Sequence, residues 1–394
     1  VGNTKRWIPT SQIYRDWTLD KYSVNVISQN EIDAIPTIPE LTRLGTDGQY
    51  NYVIERGRKH YLPDTYKNIW GYQNTIAAPV SNLLRNIPEY EPMGRFTTDG
   101  VNFWVLSQGF KHPISQNDLY AWGYTLNATV GIGQDYRDSI YSSNSVSRFV
   151  NVFGTKYIVD QGNLIKINDD ITANSWNNSY QNIGSDAISL LPIRSNGSIL
   201  ARGTNSPHWY LVVDQKKYYI PNADTVINWS ISPSSLLVLS SDLLDSIPTQ
   251  SSYLSNFIKD TSTNMVYVVD GKKHHVVSND LLSTLSLNPS IINVSSIFAS
   301  GIPTGSSYTN PFVKITGTPH TYIFDKGVRY HLYNGDLYWA FNSWGDITYL
   351  SSTYVNNVPY SNEAISSVVK DSTGTGFLID GGKQIRISNA VNSQ

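Results

Sequence analysis

A chain of 394 residues with 29 basic and 31 acidic side chains has a formal net charge of -2, which excludes recruitment to nucleic acid or an anionic membrane by bulk electrostatics. Cysteine is absent, so disulfides, thiolate metal sites and cysteine nucleophiles are excluded too. No apolar run approaches the roughly 18 residues of a membrane helix, and no membrane insertion is expected.

The first residues read neither as a signal peptide nor as a Met start, so the chain is expected to be processed, or excised from a longer one with further domains. Residues 5–8 read as a lone hairpin strand. A short helical segment ends at Trp17, residues 24–27 read as a short strand, and a tight turn stops at Ala34-Ile-Pro36. Proline ends such a turn because it cannot donate to a continuing helix and restricts the residue before it.

From here the chain repeats itself. Hairpin patterns of β-branched and aromatic residues around Gly-containing or polar turns occur at 52–63, 104–115, 157–168, 211–221, 266–278, 322–333 and 377–388. Each except the last is followed by a helical segment ending near Trp70, Trp122, Trp176, Trp229, Leu285 or Trp344; counted from Trp17, successive members lie 52 to 59 residues apart. A short apolar run, a second helical turn and often an Ile-Pro stop come next, as in Ser246-Ile-Pro248 and Gly301-Ile-Pro303. A third strand then leads into the next hairpin.

A fixed period of this kind marks a repeat architecture. Four short antiparallel strands per unit predict an all-β fold, a β-propeller of about seven four-stranded blades with short helical insertions in each repeat. The units run roughly 1–47, 48–99, 100–154, 155–205, 206–262, 263–319 and 320–374. Residues 375–394 close the ring of a single domain, and an N-terminal strand pairs with the C-terminal blade so that no edge stays open.

Aligned second hairpin strands give an aliphatic column, Leu62, Ile114, Ile167, Ile220, Val276, Leu332 and Ile387, which faces packed core. The opposite face carries Lys59, Lys111, Lys217, Lys273 and Arg329, followed two residues on by Tyr61, Pro113, Tyr219, His275 and His331. Two readings compete. In the first, each cation pairs across its turn with an acid such as Asp214, Asp270 or Asp325 and lays its stem along an aromatic ring. In the second, the stripe is a rim of cationic and aromatic sites that holds sugars by stacking and hydrogen bonds. Repetition is what structural positions produce, which favours the first. The candidate ligand-binding residues of the second are Trp7, Lys59, Tyr61, Trp104, Lys111, Trp209, Lys217, Tyr219, Lys273, His275, Arg329 and His331.

No catalytic motif, phosphate loop or calcium loop is present, and no catalytic residue, metal ligand or cofactor is assigned. His274 and His275 point to opposite faces of a strand, and the repeat period is too long for local ligand spacing. Glycosidic cleavage would need two acids facing each other across one bond, which blades could supply jointly at an axis.

The phrases Val268-Val-Asp-Gly-Lys-Lys-His-His-Val-Val277 and Ile379-Asp-Gly-Gly-Lys-Gln-Ile-Arg-Ile387, with Ile32-Asp-Ala-Ile-Pro36 and Leu244-Asp-Ser-Ile-Pro248, resemble the repeats of exported bacterial β-propeller-like proteins. The resemblance spans nearly the whole chain and implies an extracellular or cell-surface repeat domain. It carries no catalytic residues. The expected function is a non-enzymatic binding module for glycan or a surface protein. The alternatives are a layer or filament subunit and a carbohydrate-active enzyme.

Overall fold

The computed structural model describes residues 4–125, 128–341, 347–363 and 365–387; Trp344 lies outside them. The chain is sheet-rich, and every expected hairpin is present. Seven three-stranded antiparallel meanders recur, the second being Phe96–Thr98, Phe103–Ser107 and Phe110–Ile114, and the fifth Phe257–Asp260, Val266–Val269 and Lys273–His275. A cluster of residues 1–168 with 179–197 forms one compact unit, and 169–178 with 198–394 forms another. The first holds the first three meanders, the second the other four.

The sheets are mixed rather than antiparallel throughout. After its first helix the chain crosses back to the far side of its own sheet. There a short strand pairs in parallel with the first strand, as Leu237–Leu239 does with Leu200–Gly203 and Ile291–Val294 with Phe257–Asp260. After the second helix another short segment pairs in parallel with the third strand, as Glu89–Tyr90 does with Arg58–Tyr61. In the first three sheets the order is therefore fourth, first, second, third, fifth; in the next three the fifth strand is reduced to isolated bridges such as Lys217 to Thr249. A parallel neighbour requires a crossover connection, and the Trp-bearing helix is that crossover. In the five-stranded sheets both edges are covered from within the repeat, which blunts edge-to-edge pairing.

One strand expected near the N-terminus is absent. Residues 24–27 form no strand, and Val26 is 97% exposed. The reason is that a fourth strand pairs with the first strand of its own repeat, which the N-terminal partial repeat lacks. Lys5–Arg6 instead pairs in parallel with Thr37–Ile38. The C-terminal sheet consists of Val368–Lys370, Gly376–Asp380 and Lys383–Arg386 among the described residues.

The described Trp residues of the series are buried in the seams between successive repeats. The indole N–H of Trp17 donates to Thr42 O at 2.9 Å, that of Trp70 to Gly94 O at 2.8 Å and that of Trp176 to Ser198 O at 2.8 Å, each acceptor preceding the next meander. A buried indole needs such a partner, and here it also fixes the register of neighbouring repeats. Gly45 shows how closely the ring sits: a Cβ there would lie 2.6 Å from Trp17 Cη2. The hydrophobic core follows the same seams; Leu44, Val53 and Trp70 of one repeat pack with Leu106, Val130 and Tyr136 of the next.

Candidate functional site: aromatic grooves at the hairpin mouths

The second strand of every meander carries an aromatic residue among its first three positions. Across from it, at the end of the third strand, stands the residue two beyond the repeated cation. Tyr52 faces Tyr61, Trp104 faces Pro113, Tyr210 faces Tyr219, Tyr267 faces His275 and Tyr322 faces His331. These open ends are the hairpin mouths.

The cations of the stripe have a structural duty that the sequence did not show. Lys59 Nζ donates to Leu84 O at 3.2 Å, Lys111 to Arg137 O at 2.6 Å, Lys217 to Leu244 O at 2.6 Å, and Lys273 to Ala299 O. Each acceptor is a carbonyl near the C-terminal end of the repeat's second helix, where a cation is favoured. Arg329 reaches Asn356 Oδ1 at 2.8 Å in the corresponding helix. On the way the cations lie over the mouth aromatics, with Lys59 5.1 Å from the Tyr52 centroid, Lys217 5.4 Å from Tyr210 and Arg329 5.3 Å from Tyr322. The stem-on-ring contact of the intramolecular reading is present, but the polar partner is a helix end rather than the acid across the turn.

The acids act on the other end of that helix, one repeat further on. Asp214 accepts from Ser295 N and Oγ, both at 2.6 Å, and Asp270 accepts from the same two atoms of Ser351. Glu55 accepts from Gly133 N at 3.0 Å. Ser295, Ser351 and Gly133 are the N-caps of the second helices Ser296–Gly301, Ser352–Asn357 and Gln134–Ser139. In the second repeat the parts are exchanged. Ser107 occupies the acid's position, and Asp186 in the following repeat accepts from Ser107 Oγ and from Gln108 N, both at 2.7 Å. In the helices Gln134–Ser139 and Ser296–Gly301 the N-terminus is thus held by the preceding repeat and the C-terminus by the repeat's own lysine.

The buried histidines are likewise engaged: Nδ1 of His60, His112 and His274 meets Glu91 O, Asn144 O and Ser306 O at 2.8, 3.0 and 2.8 Å. Burial lowers the His112 pKa, against the opposing influence of its Asn144 bond and the Asp186 charge.

With these groups assigned, two grooves in the first unit have polar and aromatic surface left over. One, about 760 Å³, lies at the Trp104 mouth and is lined by Asn102, Trp104, Gln116, Asp118 and Gln181 with the exposed Val101. Arg137 lies over the Trp104 ring at 5.4 Å. The turn beside it is fixed by Asp99, whose carboxyl is held down to about 2 by the N–H groups of Asn102 and Val101. The other, about 480 Å³, is lined by Gln108, Phe110, His112, Asn151, Phe153 and Asn182. Asn151 Nδ2 donates to Asn182 Oδ1 at 2.7 Å, while Asn151 Oδ1 has no protein partner. Phe153 is 86% exposed at φ 49°, and Gly154 follows at φ 86°. Exposed Tyr141 lies 6.3 Å from Phe110.

No family model and no curated protein matches this chain. Among solved structures, chains of an intact ESX-5 inner membrane complex and of the periplasmic assembly from that complex are similar over 74% and 73% of this chain and 82% and 94% of theirs. Both are 10% identical with a TM-score of 0.14, too low to carry any argument.

The remaining sequence candidates stay in their own repeats. Trp7 is 69% exposed beside the N-terminal strand pair. Tyr61 packs edge-on to Tyr50 at 5.5 Å. Tyr219 sits among His208, Tyr210 and Tyr253 at 5.1 to 6.1 Å. Trp209 is half-buried against the core. His275 lines a groove of about 330 Å³ with Asn264, Met265 and Asn279, the same mouth as that of Trp104 in another repeat. His331 stacks with His320, Tyr322 and Tyr333. Phe110, Phe153, Asn151 and Asn182 were not anticipated. The signal for them was in the sequence, since Val152-Phe-Gly-Thr155 puts Phe where a two-residue hairpin turn favours Asn. No described helix is long and apolar enough to cross a membrane.

Proposed function

We propose that this chain is an extracellular, non-enzymatic binding protein whose propeller-like repeats present aromatic–amide grooves to glycan. The observation that carries this reading is Phe153. An aromatic side chain stands exposed at a left-handed turn position, beside the Asn151–Asn182 amide pair that lines the same groove and the exposed rings of Phe110 and Tyr141. Sugar recognition uses this pairing, an apolar ring against the C–H face and amides for the hydroxyls. The engagement of the stripe's lysines and acids in helix capping supports binding by neutral groups rather than by charge. A surface protein bearing such glycan is the corresponding macromolecular partner.

The same reading takes the repeat sheets to succeed one another around a common axis, supported by the Trp contacts that tie each repeat to the next. Negative-stain images with a central depression would agree with it; an elongated rod would not. The functional test is a glycan array probed with the intact chain and with Phe153→Asn and Trp104→Ala. Retention of a defined glycan class by the intact chain, lost in one or both variants, is expected. Equal signals from all three proteins, or turnover of the bound glycan, would reject the reading.

A further inference from the structure

The sixth hairpin, Thr321–Asp325 with Val328–His331, brings together two histidines that are eleven residues apart. Tyr322 faces His331 across the pair, and His320 lies two residues before Tyr322 on the same face, diagonal to His331. Nδ1 of His320 and Nε2 of His331 are exposed and hydrogen-bonded to each other at 3.2 Å, so an ion would take the place of the proton they share. Two imidazole nitrogens bound at about 2.0–2.1 Å to one tetrahedral ion are themselves roughly 3.3 Å apart. The pair therefore stands near the separation of two ligands of one tetrahedral ion, and small ring rotations would turn both lone pairs to it. The rings are braced: His331 packs at 5.0 Å on Tyr322 and 4.5 Å on Tyr333, whose hydroxyl meets that of Tyr360 at 2.5 Å. The nearby Arg329 guanidinium is turned to Asn356 Oδ1.

We propose that His320 and His331 form a two-histidine site for a divalent transition metal, Zn²⁺ or Cu²⁺. No cluster of three or more His, Asp or Glu ligands occurs among the described residues, so water or a ligand brought by a partner completes the coordination. With nitrogen donors and no carboxylate, the site selects imidazole-preferring ions over Ca²⁺ and Mg²⁺, which require oxygen. It is independent of the glycan grooves, which lie in the other compact unit.

The test is titration of the full chain with Cu²⁺ alone, read by calorimetry and by electron paramagnetic resonance. One ion per chain with superhyperfine coupling to two imidazole nitrogens is expected, and Zn²⁺ should compete for it. His320→Asn and His331→Asn should each weaken binding by at least about tenfold, while His208→Asn leaves it unchanged. Should either variant misfold, proton NMR of the intact chain decides, because Cu²⁺ should broaden two imidazole signals of the seven histidines first. Undiminished binding in the double variant, coupling to a single nitrogen, or general broadening of all histidines would overturn the proposal.

Discussion

Phe153 sits in the left-handed region in the turn between Phe149–Val152 and Thr155–Asp160, where both central residues have positive φ. For a residue with a bulky Cβ substituent that conformation costs on the order of 1–2 kcal/mol, whereas Asn tolerates it. Phe153→Asn should therefore raise stability by about 1 kcal/mol in urea unfolding while weakening glycan retention. A loss of stability would mean that the ring packs on something the exposed surface does not reveal. Arg95 is a second residue held at a cost. It is fully buried, its guanidinium has no hydrogen-bond partner among the described residues, and burial lowers its pKa; the Tyr124 ring lies 5.8 Å away. Since a buried cation without a paired acid is poorly compensated, Arg95→Met should be neutral or stabilising by up to about 2 kcal/mol. A drop in thermal midpoint would show that the ring contact outweighs desolvation.

Among the elements, the second helix of each repeat is the informative one. It has only four to six residues where described, too short to be stable alone, and in Gln134–Ser139 and Ser296–Gly301 a clamp holds each end. The exchange of Ser107 with Asp186, and the Glu55–Gly133 bond, show that the N-terminal clamp needs one carboxylate, which either side of the seam can supply. Asp186→Ser should cost about 1–3 kcal/mol, and adding Ser107→Asp should restore part of it, because the hairpin acid is the arrangement the other repeats use. Simple additivity of the two losses would refute the equivalence. At the other end, Lys217→Met leaves the Leu244 carbonyl without its buried donor and should cost a similar amount. The hairpins, Trp seams and short helices were legible because turn residues, β-branched runs and aromatic spacing are local signals. The parallel fourth and fifth strands were not, since a two- to four-residue strand has the same alternation whichever way its neighbour runs. The clamps were invisible for a different reason: Asp214 and Ser295 are 81 residues apart and meet only once two repeats are stacked. The His320–His331 pair, likewise, needs the hairpin register rather than chain spacing.

For the molecule as a whole, these burials set how stability depends on pH. His112 has a folded pKa below its usual value, so the unfolded chain binds more protons as pH drops below about 6.5, and stability falls on that side. Its charged neighbour Asp186 moderates the effect without reversing it. The Glu55 pKa is also lowered: burial pushes it up, but bonds from His60 and the Gly133 N–H outweigh that. Its stabilisation persists above about 4.3 and is lost as pH falls further. At the alkaline end the buried phenols Tyr136, Tyr308 and Tyr354 have pKa values raised by burial. Their contribution is complete below about 10 and disappears as the unfolded chain ionises. The thermal midpoint should therefore be flat between about pH 7 and 9.5, decline gently from pH 6.5, and fall steeply below about 4. His112→Gln should flatten the decline between pH 6.5 and 5 while keeping the steep limb. If the variant tracks the intact chain across that window, the first decline belongs to other histidines, and the burial of His112 has no bearing on the acid response.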